Sequence, residues 1–207
     1  MSALLFDVDG TLTDTGGAGK AALGPAMIEV YGETGPIETF DFHGRTDPEI
    51  VRGLLTAVGW LDSEVDDGLP ALWPIYLERL AEALDQVGDR AAPLAGVLDL
   101  LDRLTADTRF ACGLVTGNLE EGARLKLLAA GCADRFEFGG FGSDAEHRAD
   151  LPPVALARAA AHFGRSCSAD EAGVIGATPA ESRGARARGA RVRAVAAGRH
   201  SVAEVSR

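Results

Sequence analysis

Short apolar runs alternate along the chain with longer segments in which apolar residues recur at helical spacing. The runs are bounded by glycine or polar residues and predict buried strands at residues 4–6, 110–115, 172–176 and 192–196. Helical spacing predicts helices at residues 94–104, 120–130, 153–163 and 179–188, and Pro93 is well placed to begin the first. This alternation predicts an α/β fold with a doubly wound parallel sheet.

Residues 17–87 interrupt this alternation. Helical spacing there predicts three helices, at residues 18–31, 48–58 and 69–84. The last carries an apolar stripe that includes Trp73 and Tyr76, a pattern more typical of core packing than of a binding surface. The chain therefore predicts a core domain of residues 1–16 and 88–207, with a small all-helical domain of residues 17–87 inserted after the first strand.

The charge balance argues against two classes of partner. The 207 residues include 20 basic and 31 acidic side chains, for a formal net charge of −11. Nucleic acids and anionic membranes are bound by clustered Lys and Arg, so we expect neither as a partner. No apolar run approaches the ~18 residues of a membrane span, and the first residues lack a signal-peptide pattern.

The cysteines point to a reducing compartment. There are three, with neither a paired count nor metal-ligand spacing: Cys112, Cys132 and Cys167. Free or buried thiols are typical of the cytoplasm, which is the predicted location. A monomer or a homodimer is equally compatible with the sequence.

Polar residues follow three of the predicted strands, at residues 7–9, 116–118 and 176–181. In open α/β sheets ligands bind beyond the carboxyl ends of the strands, so these segments predict one shared site.

Two carboxylates leave the first strand on the same side, because Asp7 and Asp9 are two residues apart. One carboxylate can attack phosphorus as a nucleophile while its neighbour acts as acid and then as base. Gly10 allows the backbone to approach an anion closely, and Thr11 adds a hydroxyl donor. The alternative interpretation of these residues is a plain Asp-Gly turn after a buried strand.

Two segments resemble a known family. Residues 6–15, Phe-Asp-Val-Asp-Gly-Thr-Leu-Thr-Asp-Thr, resemble the first motif of the haloacid dehalogenase superfamily of phosphatases. Residues 114–118, Leu-Val-Thr-Gly-Asn, resemble its second motif, and the inserted helices resemble the cap of its phosphoglycolate phosphatase-like branch. The resemblance implies a Rossmann-like core and a Mg²⁺-dependent phosphatase that acts on a small phosphorylated metabolite through an aspartyl-phosphate.

The resemblance also implies residue roles. Asp7 would be the nucleophile and Asp9 the general acid and base, with Mg²⁺ on the Asp7 carboxylate and the Asp9 carbonyl. Thr116 and the backbone amides of Gly117 and Asn118 would hold the transferring phosphoryl group.

The third motif of the family supplies a cation that screens nucleophile and phosphate. Arg148, in the segment His-Arg-Ala-Asp-Leu-Pro-Pro, stands at the matching place. Lys126 is the alternative, although its place inside a predicted helix favours a solvated lysine.

The fourth motif departs from the family pattern. The segment Gly-Ala-Thr-Pro-Ala-Glu has Ala177 and Glu181 where the family has two aspartates that hold Mg²⁺. Glu181 either reaches the ion or a water on it, or is a solvated acid at a helix N-terminus. Mg²⁺ is usually held by only one or two carboxylates, so the loss at Ala177 is expected to weaken binding.

The inserted helices would select the substrate. The loop Phe-His-Gly-Arg-Thr-Asp-Pro-Glu, residues 42–49, resembles the cap loop that faces the family's active site. Arg45 would bind a carboxylate or second anion there and His43 would hydrogen-bond it, or both are ordinary surface residues. Lys20, in Gly-Gly-Ala-Gly-Lys, lacks the remaining residues of a Walker A motif and marks instead a hinge at the edge of the cap.

Alternative functions within the superfamily remain. Asp9 argues against a dehalogenase, which needs no leaving-group acid, and a phosphonate hydrolase would need a cap lysine better placed than Lys20. A phosphomutase shares the motifs. An impaired relative that binds phosphorylated ligands without efficient turnover is favoured by Ala177, whereas Asp7, Asp9 and Thr116 favour the phosphatase.

Overall fold

A computed structural model describes residues 2–164, 172–176 and 191–194. Within these ranges the strands are β1 (Ser2–Phe6), β2 (Thr13–Asp14), β3 (Ala92–Pro93), β4 (Phe110–Thr116), β5 (Gly139–Phe141), β6 (Ala172–Gly176) and β7 (Arg191–Ala194). The helices are α1 (Ala18–Tyr31), α2 (Asp47–Thr56), α3 (Asp62–Val87), α4 (Val97–Thr105), α5 (Glu120–Ala129) and α6 (Leu151–Phe163).

Five strands form one parallel sheet in the order β5-β4-β1-β6-β7. Strand β1 lies at its centre, and Phe6 is in register with Leu114 of β4 and Ile175 of β6. The carboxyl ends of these three strands therefore meet at one edge of the sheet, where Asp7 leaves β1.

Helices cover both faces of the sheet. Phe6 packs on one face with Leu101 of α4 and Leu127 of α5. Leu5 points to the opposite face, as strand alternation requires, and packs with Leu151 of α6. The predicted α/β fold with a doubly wound parallel sheet is confirmed.

Helices α1, α2 and α3 form a helical unit with its own apolar cluster. The predicted stripe of α3 faces this cluster through four buried residues, Leu72, Tyr76, Leu80 and Leu84. Helix α3 begins seven residues before the prediction, at Asp62, because the acidic segment 62–68 carries few apolar residues to reveal it. The Glu64 carboxylate accepts the Leu61 amide at 2.8 Å and supports this early start.

Pro93 does not begin α4, so that prediction was wrong. Pro93 lies in β3 and pairs with Thr13 of β2, and α4 begins only at Val97. Gly96, at φ 81°, precedes the helix in a left-handed conformation that favours glycine. The short strand β5 was not predicted, because three residues show no periodicity.

The remaining sequence predictions fall partly outside the described residues. These include the helix at 179–188, residues 195–196 of the last strand, and Cys167. Cys112 and Cys132 are free and buried, as expected. None of the helices in the described ranges is long and apolar enough to cross a membrane.

Candidate functional site

The site begins with the turn that follows β1. Asp7 is buried, and its amide donates to the Ile175 carbonyl at 3.0 Å, which ties it to the neighbouring strand. Gly10 adopts φ +73°, and its amide donates to the Thr13 carbonyl at 2.9 Å. Thr11 is buried, and its hydroxyl has no hydrogen-bond partner among the described residues. Gly10 therefore shapes the turn, and its close approach to an anion stays a prediction.

The predicted cation lies beside the predicted nucleophile. Arg148 precedes α6, and its Nη2 atom is 2.9 Å from Oδ1 of Asp7. Both side chains are well buried, at 15% and 6% exposed. The low dielectric of such a site strengthens the pair relative to a surface ion pair.

Lys126 is a second cation of the site, and the interpretation of it as a solvated lysine was wrong. It is buried on α5, and its Nζ atom contacts both carboxylate oxygens of Asp9 at 2.8 Å. The same atom donates to Oδ1 of Asn118 at 2.7 Å. The structure thus gives each predicted catalytic carboxylate its own cation, Arg148 for Asp7 and Lys126 for Asp9.

Asn118 links the polar groups at this edge through its side chain. Its Nδ2 atom donates to Oδ2 of Asp9 at 2.7 Å and to Oγ1 of Thr116 at 2.8 Å. Thr116 is completely buried and its oxygen accepts from Asn118, so within the described residues its own O–H is left to donate.

The charge pair between Asp9 and Lys126 governs the titration of both groups. Desolvation alone would raise the pKa of Asp9, but the Lys126 charge and the hydrogen bonds from Lys126 and Asn118 bring the pKa below its ordinary value. Desolvation alone would lower the pKa of Lys126, and the charges of Asp9 and Asp47 raise it instead. Before substrate binds, both groups are therefore held ionised.

The helical unit contributes a buried carboxylate to the site. Asp47, the first residue of α2, accepts the backbone N–H of Leu119 at 2.8 Å and donates its own N–H to the Gly117 carbonyl at 2.7 Å. Desolvation, with a smaller contribution from Asp9, raises the pKa of Asp47 to about 6. Tyr76 of α3 is also buried, and desolvation, Asp47 and Asp9 raise its pKa well above the ordinary value.

The start of α2 is fastened to the loop that precedes Arg148. Thr46 and Glu49 form a capping box at the helix N-terminus. The Thr46 hydroxyl also donates to the Glu146 carbonyl at 2.5 Å. Arg52 binds the Glu146 carboxylate at two points, with Nε–Oε1 at 2.5 Å and Nη2–Oε2 at 2.9 Å. These contacts join the helical unit to the core beside the candidate site.

Gly117 lies where the loop of the helical unit touches the core. A Cβ atom built on Gly117 would be 2.0 Å from the Arg45 carbonyl oxygen and 2.9 Å from the Thr46 Cα. Only glycine allows this approach, so the second-motif segment is shaped to receive the backbone of residues 45–46.

The three predicted substrate-binding side chains contact other residues of the helical unit. Lys20 pairs with Glu38 at 2.8 Å, and His43 Nδ1 lies 2.7 Å from an Asp41 carboxylate oxygen. Arg45 donates from Nε to the Asp41 carbonyl at 3.0 Å. Among the described residues, none of the three contacts Asp7 or Asp9, although the Arg45 backbone lies against Gly117.

Sequence comparison identifies the family of this chain. The sequence profile of the haloacid dehalogenase-like hydrolases matches residues 1–189. The chain belongs to this hydrolase family. The resemblance drawn from its first two motifs is thereby confirmed, and no curated protein matches the chain significantly.

Solved structures share the haloacid dehalogenase-like fold at low sequence identity. A hydrolase from Pseudomonas syringae is 21% identical, with a TM-score of 0.68 over 100% of this chain and 89% of that one. CbbY from Rhodobacter sphaeroides, in complex with phosphate, is 18% identical, with a TM-score of 0.67 over 97% and 90%. A haloacid dehalogenase-like protein from Streptococcus pneumoniae is 18% identical, with a TM-score of 0.61 over 100% and 90%.

Two of the predicted metal ligands lie in the described part of this hydrolase, Asp7 and Asp9. Their oxygen atoms are the hard donors that Mg²⁺ prefers, so the donor chemistry fits this ion. The described residues contain no group of three or more His, Cys, Asp or Glu side chains placed to hold a metal. Ala177 and Glu181 lie outside the described residues.

Sequence reasoning undervalued Lys126, although its helix carries a signal. Lys126 lies three residues from Ala123 and next to Leu127, both of which are buried on α5. A buried lysine on the apolar face of a helix requires an anionic partner, and Asp9 is that partner. The contributions of Asp47, Glu146 and Arg52 left no comparable signal, because they depend on how the helical unit meets the core.

Proposed function

We propose that this hydrolase is a Mg²⁺-dependent phosphatase that cleaves a small phosphorylated metabolite through an aspartyl-phosphate. The observation that carries the proposal is the pair of Arg148 and Asp7, 2.9 Å apart. A nucleophilic carboxylate needs a neighbouring cation to approach an anionic phosphate, and Arg148 supplies it. Asp9 and Thr116 at the same sheet edge add an acid–base group and a hydroxyl donor.

The reaction has two steps. Asp9 is ionised before substrate binds and takes up the proton that a phosphate monoester monoanion carries. In the first step an Asp7 carboxylate oxygen forms a bond to phosphorus while the bond from phosphorus to the ester oxygen breaks, and Asp9 donates this proton to the departing oxygen. In the second, water attacks the phosphorus of the aspartyl-phosphate, Asp9 takes its proton, and Asp7 is regenerated with release of inorganic phosphate. The proton that Asp9 takes from water leaves with the phosphate, so Asp9 returns to its ionised starting state after each turnover.

Arg148 and Thr116 act on the phosphoryl group throughout. Arg148 offsets charge on the nucleophile and on the transferring oxygens, and the Thr116 hydroxyl donates to one of those oxygens. The Asp7 carboxylate and the Asp9 carbonyl would hold Mg²⁺, with Glu181 as the third predicted contributor. When bound, Mg²⁺ neutralises charge on the phosphoryl oxygens.

The helical unit acts as a cap that selects the substrate. It contacts the core through Asp47 and the backbone of residues 45–46, at the segment that carries Gly117 and Leu119. Arg45 and His43 in the loop at residues 42–49 are the candidates for binding a carboxylate or second anion of the substrate. Lys20 is the candidate substrate-binding residue at the edge of the cap. A phosphoglycolate-like metabolite has this chemistry. CbbY, which shares the fold, has been solved with phosphate and with xylulose-1,5-bisphosphate.

A second function is favoured by one residue. Ala177 replaces a metal-binding aspartate of the family pattern, which favours a protein that binds phosphorylated ligands with little turnover. The two functions make opposite predictions for a restored carboxylate.

The deciding experiment measures Mg²⁺-dependent phosphate release from an aryl phosphate by three proteins: the native chain, Asp7→Asn and Ala177→Asp. Turnover by the native chain that Asp7→Asn abolishes supports the phosphatase. Turnover by Ala177→Asp alone supports the binding protein. Full activity of Asp7→Asn would contradict the aspartyl-phosphate mechanism.

A further inference from the structure

All three N–H donors of Lys126 are used in contacts with two side chains, Asp9 and Asn118. An ammonium group has three N–H donors, and Nζ of Lys126 makes three contacts: Oδ1 and Oδ2 of Asp9 at 2.8 Å each, and Oδ1 of Asn118 at 2.7 Å. A buried cation is stable only when its donors are satisfied in this way. With all three donors used, Lys126 has none to offer a phosphoryl oxygen, in contrast to a direct phosphate-binding cation.

Helix α5 explains how a residue two turns into the helix reaches the site. Side chains on a helix lean towards its N-terminus, and the N-terminus of α5 follows Asn118 directly. The helical unit covers the ammonium group from the other side. A Cβ atom built on Gly19 of α1 would lie 3.5 Å from Nζ and 3.6 Å from the hydroxyl of Tyr76. The Lys126 side chain is accordingly only 6% exposed.

Asp9 is the more exposed partner, at 46% of its side chain. A carboxylate with that exposure would rotate freely without fixed partners. Lys126 contacts both of its oxygens, and Nδ2 of Asn118 donates to Oδ2 at 2.7 Å. These contacts fix one orientation of the carboxylate, in the state before substrate binds.

We infer that Lys126 is a positioning residue for Asp9, one that sets the direction from which Asp9 meets the leaving oxygen of the substrate. The inference rests on the proposed function, since it requires Asp9 to be the acid and base. It separates the two cations of the site: Arg148 acts on the nucleophile and the phosphoryl group, and Lys126 acts only through Asp9.

A comparison of leaving groups tests this role. An alkyl phosphate needs a proton on its departing oxygen, whereas a nitrophenyl phosphate barely does, and kcat/KM reports the first step alone. For Lys126→Met we expect kcat/KM to fall about 100-fold for the alkyl ester and by less than about 3-fold for the nitrophenyl ester. Arg124→Met is the matched control, since it removes a cation from the exposed face of the same helix. It should leave both values unchanged.

A double-mutant cycle decides whether Lys126 acts through Asp9. We expect Asp9→Asn combined with Lys126→Met to match Asp9→Asn alone within about 2-fold for the alkyl ester, because a residue that acts through another adds nothing once that one is removed. Losses that multiply would overturn the inference by showing direct action on the phosphoryl group. Equal losses for both esters in Lys126→Met would overturn it as well, as a purely structural effect.

The failure of the proposed function gives a different result. If Asp9→Asn itself retains hydrolysis of the alkyl ester, Asp9 is not the acid and base. That result would contradict both the proposed mechanism and this inference. If Asp9→Asn loses that activity and Lys126→Met keeps it, only the inference about Lys126 is contradicted. Lys126→Gln, which retains an N–H donor without the charge, replaces Lys126→Met if the methionine variant does not fold.

Discussion

The Asp47 carboxylate accepts the backbone N–H of Leu119 at 2.8 Å, so a residue of the helical unit caps a helix of the core. Leu119 is the residue before α5, and no side chain of its own segment caps that helix. The capping carboxylate is thereby buried at the boundary, where desolvation raises its pKa to about 6. This contact makes the joint between the two parts sensitive to charge.

Asp47→Asn tests that sensitivity. A carboxyl whose pKa is about 6 when folded and 3.8 when unfolded binds protons more tightly in the folded state. The free energy of unfolding therefore falls as pH rises from about 4 to about 6, and stays reduced above that range. Asparagine keeps the acceptor for Leu119 without the charge. The free energy of unfolding of the variant minus that of wild type should therefore be larger at pH 7.5 than at pH 4.5, by on the order of 2 kcal/mol. Urea unfolding at the two pH values measures this, and an identical difference at both would contradict it.

Arg148→Met should reduce kcat for a phosphate ester about 100-fold or more, because it removes the cation beside Asp7 and leaves the nucleophile to meet the phosphate unscreened. Arg148→Lys keeps a charge but loses the planar geometry, and we expect it to recover part of the rate. Steady-state kinetics with one aryl phosphate measures both variants. A methionine variant with nearly normal kcat would remove Arg148 from the proposed chemistry.

Gly117→Ala should separate the loop of the helical unit from the core. The new Cβ atom would meet the Arg45 carbonyl oxygen at 2.0 Å, and backbone cannot yield as a side chain can. We expect the free energy of unfolding to fall by about 3 kcal/mol and the activity to fall strongly. Gly122→Ala is the control, since the nearest atoms to its Cβ would be side-chain atoms at ordinary contact distances: Leu80 at 3.5 Å, Leu77 at 3.6 Å and Leu119 at 3.9 Å. That variant should be neutral or stabilised by about 1 kcal/mol, because alanine favours the helix. Thermal unfolding compares the two, and similar melting temperatures would contradict the close approach.

Arg45→Ala should change substrate preference. If Arg45 reads a carboxylate, its loss raises KM for a carboxylated phosphate ester about 10-fold or more and leaves KM for a small aryl phosphate unchanged. The aryl phosphate is the internal control for damage to the site. Equal effects on the two substrates would contradict substrate binding by Arg45 and leave it as a loop residue that hydrogen-bonds the Asp41 carbonyl.

The sequence predicted the α/β sheet and its helices because both have a period that a linear pattern records. Strand β6 and helix α1 have the predicted bounds. The start of α4 was misplaced because Pro93, a common first residue of helices, is equally compatible with the short strand β3. That strand forms only by pairing with Thr13, almost eighty residues earlier, and no local pattern carries such information.

The candidate site divides in the same way. Asp7, Asp9 and Thr116 follow strands, so their convergence could be predicted from the sheet. The cation that pairs with each carboxylate could not be predicted, because the role of a lysine on a helix or an arginine in a loop depends on the residues that the fold packs against it. Lys126 was taken for a solvated residue for that reason, whereas its burial next to Asp9 is a tertiary property.

Leu119 gives the molecule a property that matters for protein engineering. This core residue is 5% exposed, and its side chain packs in the apolar cluster of the helical unit rather than under the sheet. The two parts are therefore not interchangeable modules. A chimera that receives the helices of another protein would leave an apolar side chain facing water and a helix end without its carboxylate. Successful grafts should carry residues 117–119 along with the helices that recognise them.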